Sequence, residues 1–188
     1  MADSEEDSLR ASLESWIGQP LSTSGPALAP DAVNLPMIRH WVDALDDQNP
    51  IYLDAEFAAT TRHAGVVAPP AMLQTWTMPR PRIEGIAERG GAPSEIASDN
   101  PISILSDAGY ANTLATNSEL EFERYLRPGD ALESATVLES ISERKKTSLG
   151  TGYFVTWVTT YSDGQGEVVG HQRFRILKFK AGETEDPS

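Results

Sequence analysis

The 188-residue chain has no cysteine, so neither a disulfide framework nor a thiolate metal site can form, which suits a cytoplasmic protein. Histidine is almost as scarce. His40, His63 and His171 are far apart with no ligand spacing, whereas a zinc site needs three or four converging ligands, so no metal centre is expected. Positive charge is in short supply too. Lys and Arg number 15 against 28 Asp and Glu, and the net charge of −13 argues against a nucleic-acid partner, because phosphate backbones are held by clustered cations. No run approaches the ~20 apolar residues that cross a bilayer, and the acidic start "MADSEEDS" has neither the basic nor the apolar region of a signal peptide. A soluble protein with no membrane partner is expected. Internal repeats and a glycine-rich phosphate loop are also missing.

What is present suffices for one buried core and leaves little for a second. The ends, "MADSEEDS" and "AGETEDPS", hold too little apolar surface to offset ordering entropy and read as frayed tails. The expected division is a tail and short helix over 1–19, a folded domain over 20–180 and a disordered tail over 181–188. Leu9, Leu13, Trp16 and Ile17 fall at helical spacing over 5–17, with Gly18 as the stop. After a Pro/Ser/Ala connector over 20–34, Asn34 offers a cap and Pro36 suits a first turn. Ile38, Trp41, Val42 and Leu45 then form one apolar stripe. An acidic loop over 46–53 follows, and Asp54 can cap a short helix through Thr61. Pro69 and Pro70 precede "AMLQTWTM", which predicts a short buried helix stopped by Pro79 and Pro81. Residues 79–101 are a long Pro/Gly-rich connection, and "ISILSDAG" predicts a further helix ending at Gly109.

From residue 115 the period changes. "TNSELEFERYL", "ALESATVLESIS", "GTGYFVTWVTTYS" and "EVVGHQRFRILKFK" are β-rich runs separated by turn-forming residues, and they predict four consecutive antiparallel strands in a meander. Helices followed by such a sheet give an α+β domain with the sheet packed on a buried helix.

Taken together, "IRHWVDALDDQNPIYLD", "GVVAPPAMLQTW", "ATNSELEFERYLRPGD" and "FRILKF" resemble the MaoC-like branch of the hot-dog superfamily over roughly residues 30–180. The nearest form in that branch is the subunit, or N-terminal domain, that accompanies a catalytic MaoC-like partner in the actinobacterial enoyl-CoA hydratase of steroid side-chain degradation. The resemblance implies an antiparallel sheet wrapped around a central helix, here short and proline-interrupted. It also implies pairing with a catalytic hot-dog subunit, a coenzyme A thioester as substrate and no cofactor. Longer relatives of this kind append a module that docks a thiolase-like or aldolase enzyme, and no such module occurs in this chain.

Active members carry a loop Gly-Asp-x-Asn-Pro-x-His whose Asp and His hold the water that adds across the enoyl double bond, a task suited to imidazole. Here Asp47 and Asn49-Pro50 match that loop, and Tyr52 stands in place of the His. A phenol with an ordinary pKa of about 10 is a poor base at neutral pH. Active members also carry His-Gly at the start of the central helix, where a backbone N–H meets the thioester oxygen. The matching run is Ala68-Pro69-Pro70, and proline has no N–H.

No catalytic residue is therefore expected, and Asp47 and Tyr52 read as degenerate positions. Asp47, Asn49, Tyr52, Met72 and Trp76 are the candidate substrate-binding residues, with turn formation the simpler role for Asp47, packing or hydrogen bonding for Tyr52, and core packing for Trp76 as for Met78. Arg173, Arg175 and Lys178, with Lys180 and the turn Arg144-Lys145-Lys146, are basic in an acidic chain. They read as a charged edge strand, or as contacts to the phosphates of coenzyme A, for which Arg173, Arg175 and Lys178 are the candidates. The function expected is a non-catalytic, substrate-binding subunit of a heteromeric enoyl-CoA hydratase or dehydratase acting on a bulky acyl group. The alternatives are an autonomous hydratase using Asp47 and a non-enzymatic thioester-binding or scaffold domain.

Overall fold

The computed structural model describes residues 2–22, 25–78, 83–85 and 100–182. Helix α1 (Ala2–Glu14) begins before the expected 5–17, so the acidic segment read as a frayed tail forms its first turns. Its buried Leu13, with Leu9 and Trp16 beside it, packs on the sheet, and Arg10 ties it down by donating to the Ser142 carbonyl at 2.7 Å. Gly18, at φ 81, turns the chain where the helix stops and donates to Leu138.

Helix α2 (Leu35–Leu45) has the expected cap, with Asn34 Oδ1 accepting from the Met37 N–H at 3.0 Å. Ile38 and Val42 are buried, but Leu45 is 63% exposed because the helix unwinds there into Asp46, at φ 53. The acidic loop contains a turn absent from the sequence reading, α3 (Pro50–Leu53). Asp54 then caps α4 (Ala55–Thr60) through the N–H groups of Glu56 and Phe57. The buried segment Pro70–Thr77 is a 3-10 helix rather than the expected α-helix. Pro69 and Pro70 remove two N–H donors at its start, and its terminal bonds close on the third residue back, Met72 to Pro69 and Met78 to Thr75. Much of the long connection over 79–101 lies outside the described residues. Helix α5 (Pro101–Asp107) is capped by Asn100, and Gly109 ends it at φ 88.

The sheet comprises β1 (Ala27–Leu28), β2 (Asn112–Phe122), β3 (Leu132–Ile141), β4 (Lys145–Thr147), β5 (Gly150–Asp163) and β6 (Val168–Ala181). All pairings are antiparallel, in the order β1-β3-β5-β6-β2 with β4 on β5. The expected meander is therefore wrong in one connection: β2 pairs with β6 and not with β3. The connection from β2 to β3 crosses the end of the sheet, where Arg124 bridges Asp130 at 2.7 Å and Asp163 at 2.9 Å. The free edge of β3 is taken by β1 and by the chain at 18–21, which exchanges backbone bonds with Thr136 and Leu138. The Lys-Lys-Thr stretch read as a turn is β4, and β6, read as an edge, is a central strand.

Two apolar clusters share the fold. One gathers α2, the 3-10 helix and the ends of β3, β5 and β6, and the other gathers α1, α5 and the middle of the same strands. Gly170 sets the first contact: a Cβ there would meet the Glu121 carbonyl oxygen at 2.5 Å and Leu73 Cδ2 at 2.8 Å. The helix is also tied to the sheet by Gln172, which accepts from the Tyr161 hydroxyl at 3.0 Å and donates to Gln74 and Ser118.

Candidate functional site

The loop after α2 is shaped by its own polar side chains. Asp47 accepts the Asn49 N–H at 3.0 Å, and Asn49 accepts the Ile51 N–H at 3.2 Å as the cap of α3. These are the local bonds through which Asp and Asn form turns. Helix α3 points Tyr52 inward, where it is 8% exposed. Burial pushes the phenol above its ordinary pKa, with Tyr125 and Asp47 adding to the rise. A phenol so placed stays protonated at neutral pH and cannot draw a proton from water. Tyr125 in turn meets the His63 ring, with centroids 4.5 Å apart at 60°. This aromatic group was not singled out in the sequence, because Tyr125 and His63 come from separate segments with no shared motif.

Met72 and Trp76 lie on the 3-10 helix in the same buried cluster as Tyr52, so the fold brings these candidates together. Met72 is fully buried, and Trp76 Nε1 is a buried donor with no hydrogen-bond partner among the described residues. At the start of the helix, the Ala68 N–H donates to the Leu126 carbonyl at 2.8 Å, and the Met72 N–H to Pro69 at 3.0 Å. With two prolines between, no backbone donor from 68 to 70 is available to a ligand oxygen.

The cations do not converge. Arg173 and Arg175 project from one face of β6, while Lys178 faces the other way. Arg173 pairs with Glu139 through Nε at 3.0 Å and lies 3.8 Å from Glu119. Arg175 donates from Nε and Nη2 to Asn117 at 3.1 and 2.6 Å and lies over the Phe154 ring. Lys178 is 2% exposed and donates to the Ala111 carbonyl and the Thr113 hydroxyl, and burial lowers its pKa. Among the described residues no group of three or more His, Cys, Asp or Glu has a metal-binding arrangement, and no helix is long and apolar enough to cross a membrane.

An antiparallel sheet closed over a short buried helix, with an Asp-x-Asn-Pro loop beside the helix start, is the arrangement of a hot-dog protein. Residues 16–172 match the family described as FAS1-like, dehydratase domain region. The chain belongs to this family, within the MaoC-like hot-dog group. A probable enoyl-CoA hydratase alpha subunit of Thermomonospora curvata is 43% identical over 181 residues, which cover 92% of this chain and 52% of that protein. The 3-oxo-4,17-pregnadiene-20-carboxyl-CoA hydratase alpha subunit of Mycobacterium tuberculosis is 41% identical over 157 residues, covering 84% and 48%. The chain spans about half the length of these curated relatives. A chain of the ChsH1-ChsH2 complex from Mycobacterium tuberculosis superposes with a TM-score of 0.78 at 36% identity, covering 95% of each. The R-hydratase PhaJ1 of Pseudomonas aeruginosa, at 18% identity and a TM-score of 0.53, shares the fold.

Proposed function

We propose that this chain is the non-catalytic, substrate-binding half of a heteromeric enoyl-CoA hydratase. In this reading a second hot-dog subunit supplies the acid–base pair and the oxyanion donor. The observation that carries it is the state of both catalytic elements in this chain. The position of the base holds a buried phenol with a raised pKa, and residues 68 to 70, which match the oxyanion-donor position, offer no free N–H. Each loss removes a transition-state interaction that is worth about 100-fold or more in rate. The similarity to a chain of the two-component ChsH1-ChsH2 complex supports a paired assembly.

The acyl group is bulky in this reading, of the steroid side-chain class named in the M. tuberculosis relative. The central helix is only eight residues long and holds Met72 and Trp76, apolar side chains suited to a large hydrocarbon. In this reading Tyr52, Met72 and Trp76 meet the acyl group, and Asp47 and Asn49 hold the loop that carries Tyr52.

The test is reconstitution. The purified chain is assayed alone and with a hot-dog protein that has an intact Gly-Asp-x-Asn-Pro-x-His loop, following loss of enoyl-thioester absorbance. The reading expects background rates alone and turnover from the pair. Robust turnover by the chain alone would refute it.

A further inference from the structure

Among the described residues, Trp76 Nε1 is the one buried side-chain nitrogen or oxygen without a hydrogen-bond partner. The residue lies on the last turn of the 3-10 helix and is 5% exposed. Buried donors are paired in nearly all native structures, because a lone N–H in apolar surroundings bears the whole cost of its lost hydration. Two residues away on the same helix that rule is kept. Gln74 accepts from Gln172, which uses both amide hydrogens and its carbonyl, on Gln74, Ser118 and the Tyr161 hydroxyl.

Neither the chain nor water supplies the acceptor that Trp76 lacks. Of the hydroxyls in its cluster, Tyr161 is committed to Gln172, and Tyr52 does not take the indole N–H. A buried water is held by roughly two to four polar groups. The cluster around Trp76 is instead built on aliphatic side chains such as Val33, Ile38, Val42 and Val67. The place of the donor is also the place that the function proposed above gives to the acyl group. Trp76 shares the cluster with Tyr52 and with Met72, four residues before it on the helix. Just past the helix end, Met78, read from the sequence as a core residue, is 56% exposed, so apolar surface faces out of the fold two residues from the indole.

We propose that Trp76 is a specificity residue whose indole N–H donates to an oxygen carried by the acyl group itself, a ketone or hydroxyl on a bulky hydrocarbon remote from the thioester. The inference rests on the substrate-binding role proposed above and names the acyl class of that site. The thioester oxygen is not the acceptor, since in the proposed pair it belongs to the oxyanion donor of the partner. A plain hydrocarbon leaves the N–H as isolated as it is in the free chain, whereas a ketone or hydroxyl oxygen ends that isolation. Because the donor is already dehydrated before binding, little of the new bond is lost to stripping water from the protein. Met72 and Met78 flank the indole along the chain, and unbranched thioether side chains shift at small cost, so the ligand reaches the N–H by moving side chains and not backbone.

The reconstituted pair tests the proposal with three enoyl-CoA substrates of one polycyclic skeleton, bearing a ketone, a hydroxyl or a methylene at the end far from the thioester. kcat/KM should be about tenfold or more higher for the ketone or the hydroxyl than for the methylene substrate. Trp76→Phe should reduce that ratio to about twofold or less. Phenylalanine also removes ring volume, so Trp76→benzothienylalanine, which keeps the fused ring and puts sulfur in place of the N–H, is the second variant and should abolish the preference equally. A packing role alone would leave the ratio unmoved in this isostere. In the intact chain and in the pair, the saturated ketone analogue should shift the Trp76 indole N–H proton resonance downfield, and the methylene analogue should not. Equal kcat/KM for all three substrates, or a preference that the isostere retains, would overturn the proposal. A pair without turnover whose Trp76 resonance still responds to the ketone would remove the hydratase reading and keep the donor site. Turnover by the pair with no preference among the three would remove the donor site alone.

Discussion

The Ala68 amide donates to the Leu126 carbonyl at 2.8 Å, directly before two prolines. Residues 68 to 70, which match the oxyanion-donor position, therefore offer no backbone N–H to a ligand, independently of what occupies position 52. Replacing the base alone should consequently fail. Tyr52→His in the isolated chain returns a group of pKa near 6.5 to the loop but no oxyanion donor, whose loss costs about 100- to 1000-fold. Turnover should stay at background by enoyl-thioester absorbance, and recovery should require Ala68→His and Pro69→Gly as well.

Gly170 is a packing requirement. An added Cβ would approach a backbone oxygen at 2.5 Å and Leu73 at 2.8 Å, and the backbone cannot yield cheaply. Gly170→Val should cost about 1–3 kcal/mol or more, read as a lowered urea midpoint.

The same Leu73 and Gly170 show what the sequence left illegible. Alternation marked the long strands and the caps marked most helices, because these are local signals. Strand pairing is not local: β2 reads as the neighbour of β3, yet its partner is β6, since the choice is made by the crossing at Arg124 and by the segment covering β3. At the site, Asp47, Asn49 and Tyr52 were legible because a single loop carries them. The contact of Tyr125 with His63 and the isolation of the Trp76 donor depend on distant segments, and no motif announces them. Lys178, read as a surface cation, is buried because it shares the parity of Ile176 and Phe174 rather than that of its arginine neighbours.

Two buried groups predict opposite slopes at alkaline pH. Burial lowers the Lys178 pKa from 10.5, so the unfolded chain binds more protons over the window between the lowered value and 10.5. Stability contributed by this group should rise with pH across that window and be level above it. Lys178→Met should remove the rise, as measured by urea unfolding at stepped pH.

Tyr161 works the other way. Burial pushes its pKa up from 10.0 to about 12, so the unfolded chain loses its proton first. Stability should fall as pH rises from about 10 to about 12, by up to roughly 2–3 kcal/mol from this group. Tyr161→Phe should flatten that fall, although it also loses the bond to Gln172 and lowers stability at neutral pH.

In the proposed pair the proton-transferring groups belong to the partner and not to this chain. Asp47→Asn tests it most directly, because the amide oxygen can still accept the Asn49 N–H while the carboxylate is gone. The measurement is kcat of the reconstituted pair carrying Asp47→Asn in this chain, beside the pair carrying the corresponding change in the partner's Asp. The expected kcat is within about threefold of that of the unaltered pair for the first and about 100-fold or more lower for the second. A loss of that size from Asp47→Asn, with the pair still assembled, would contradict it.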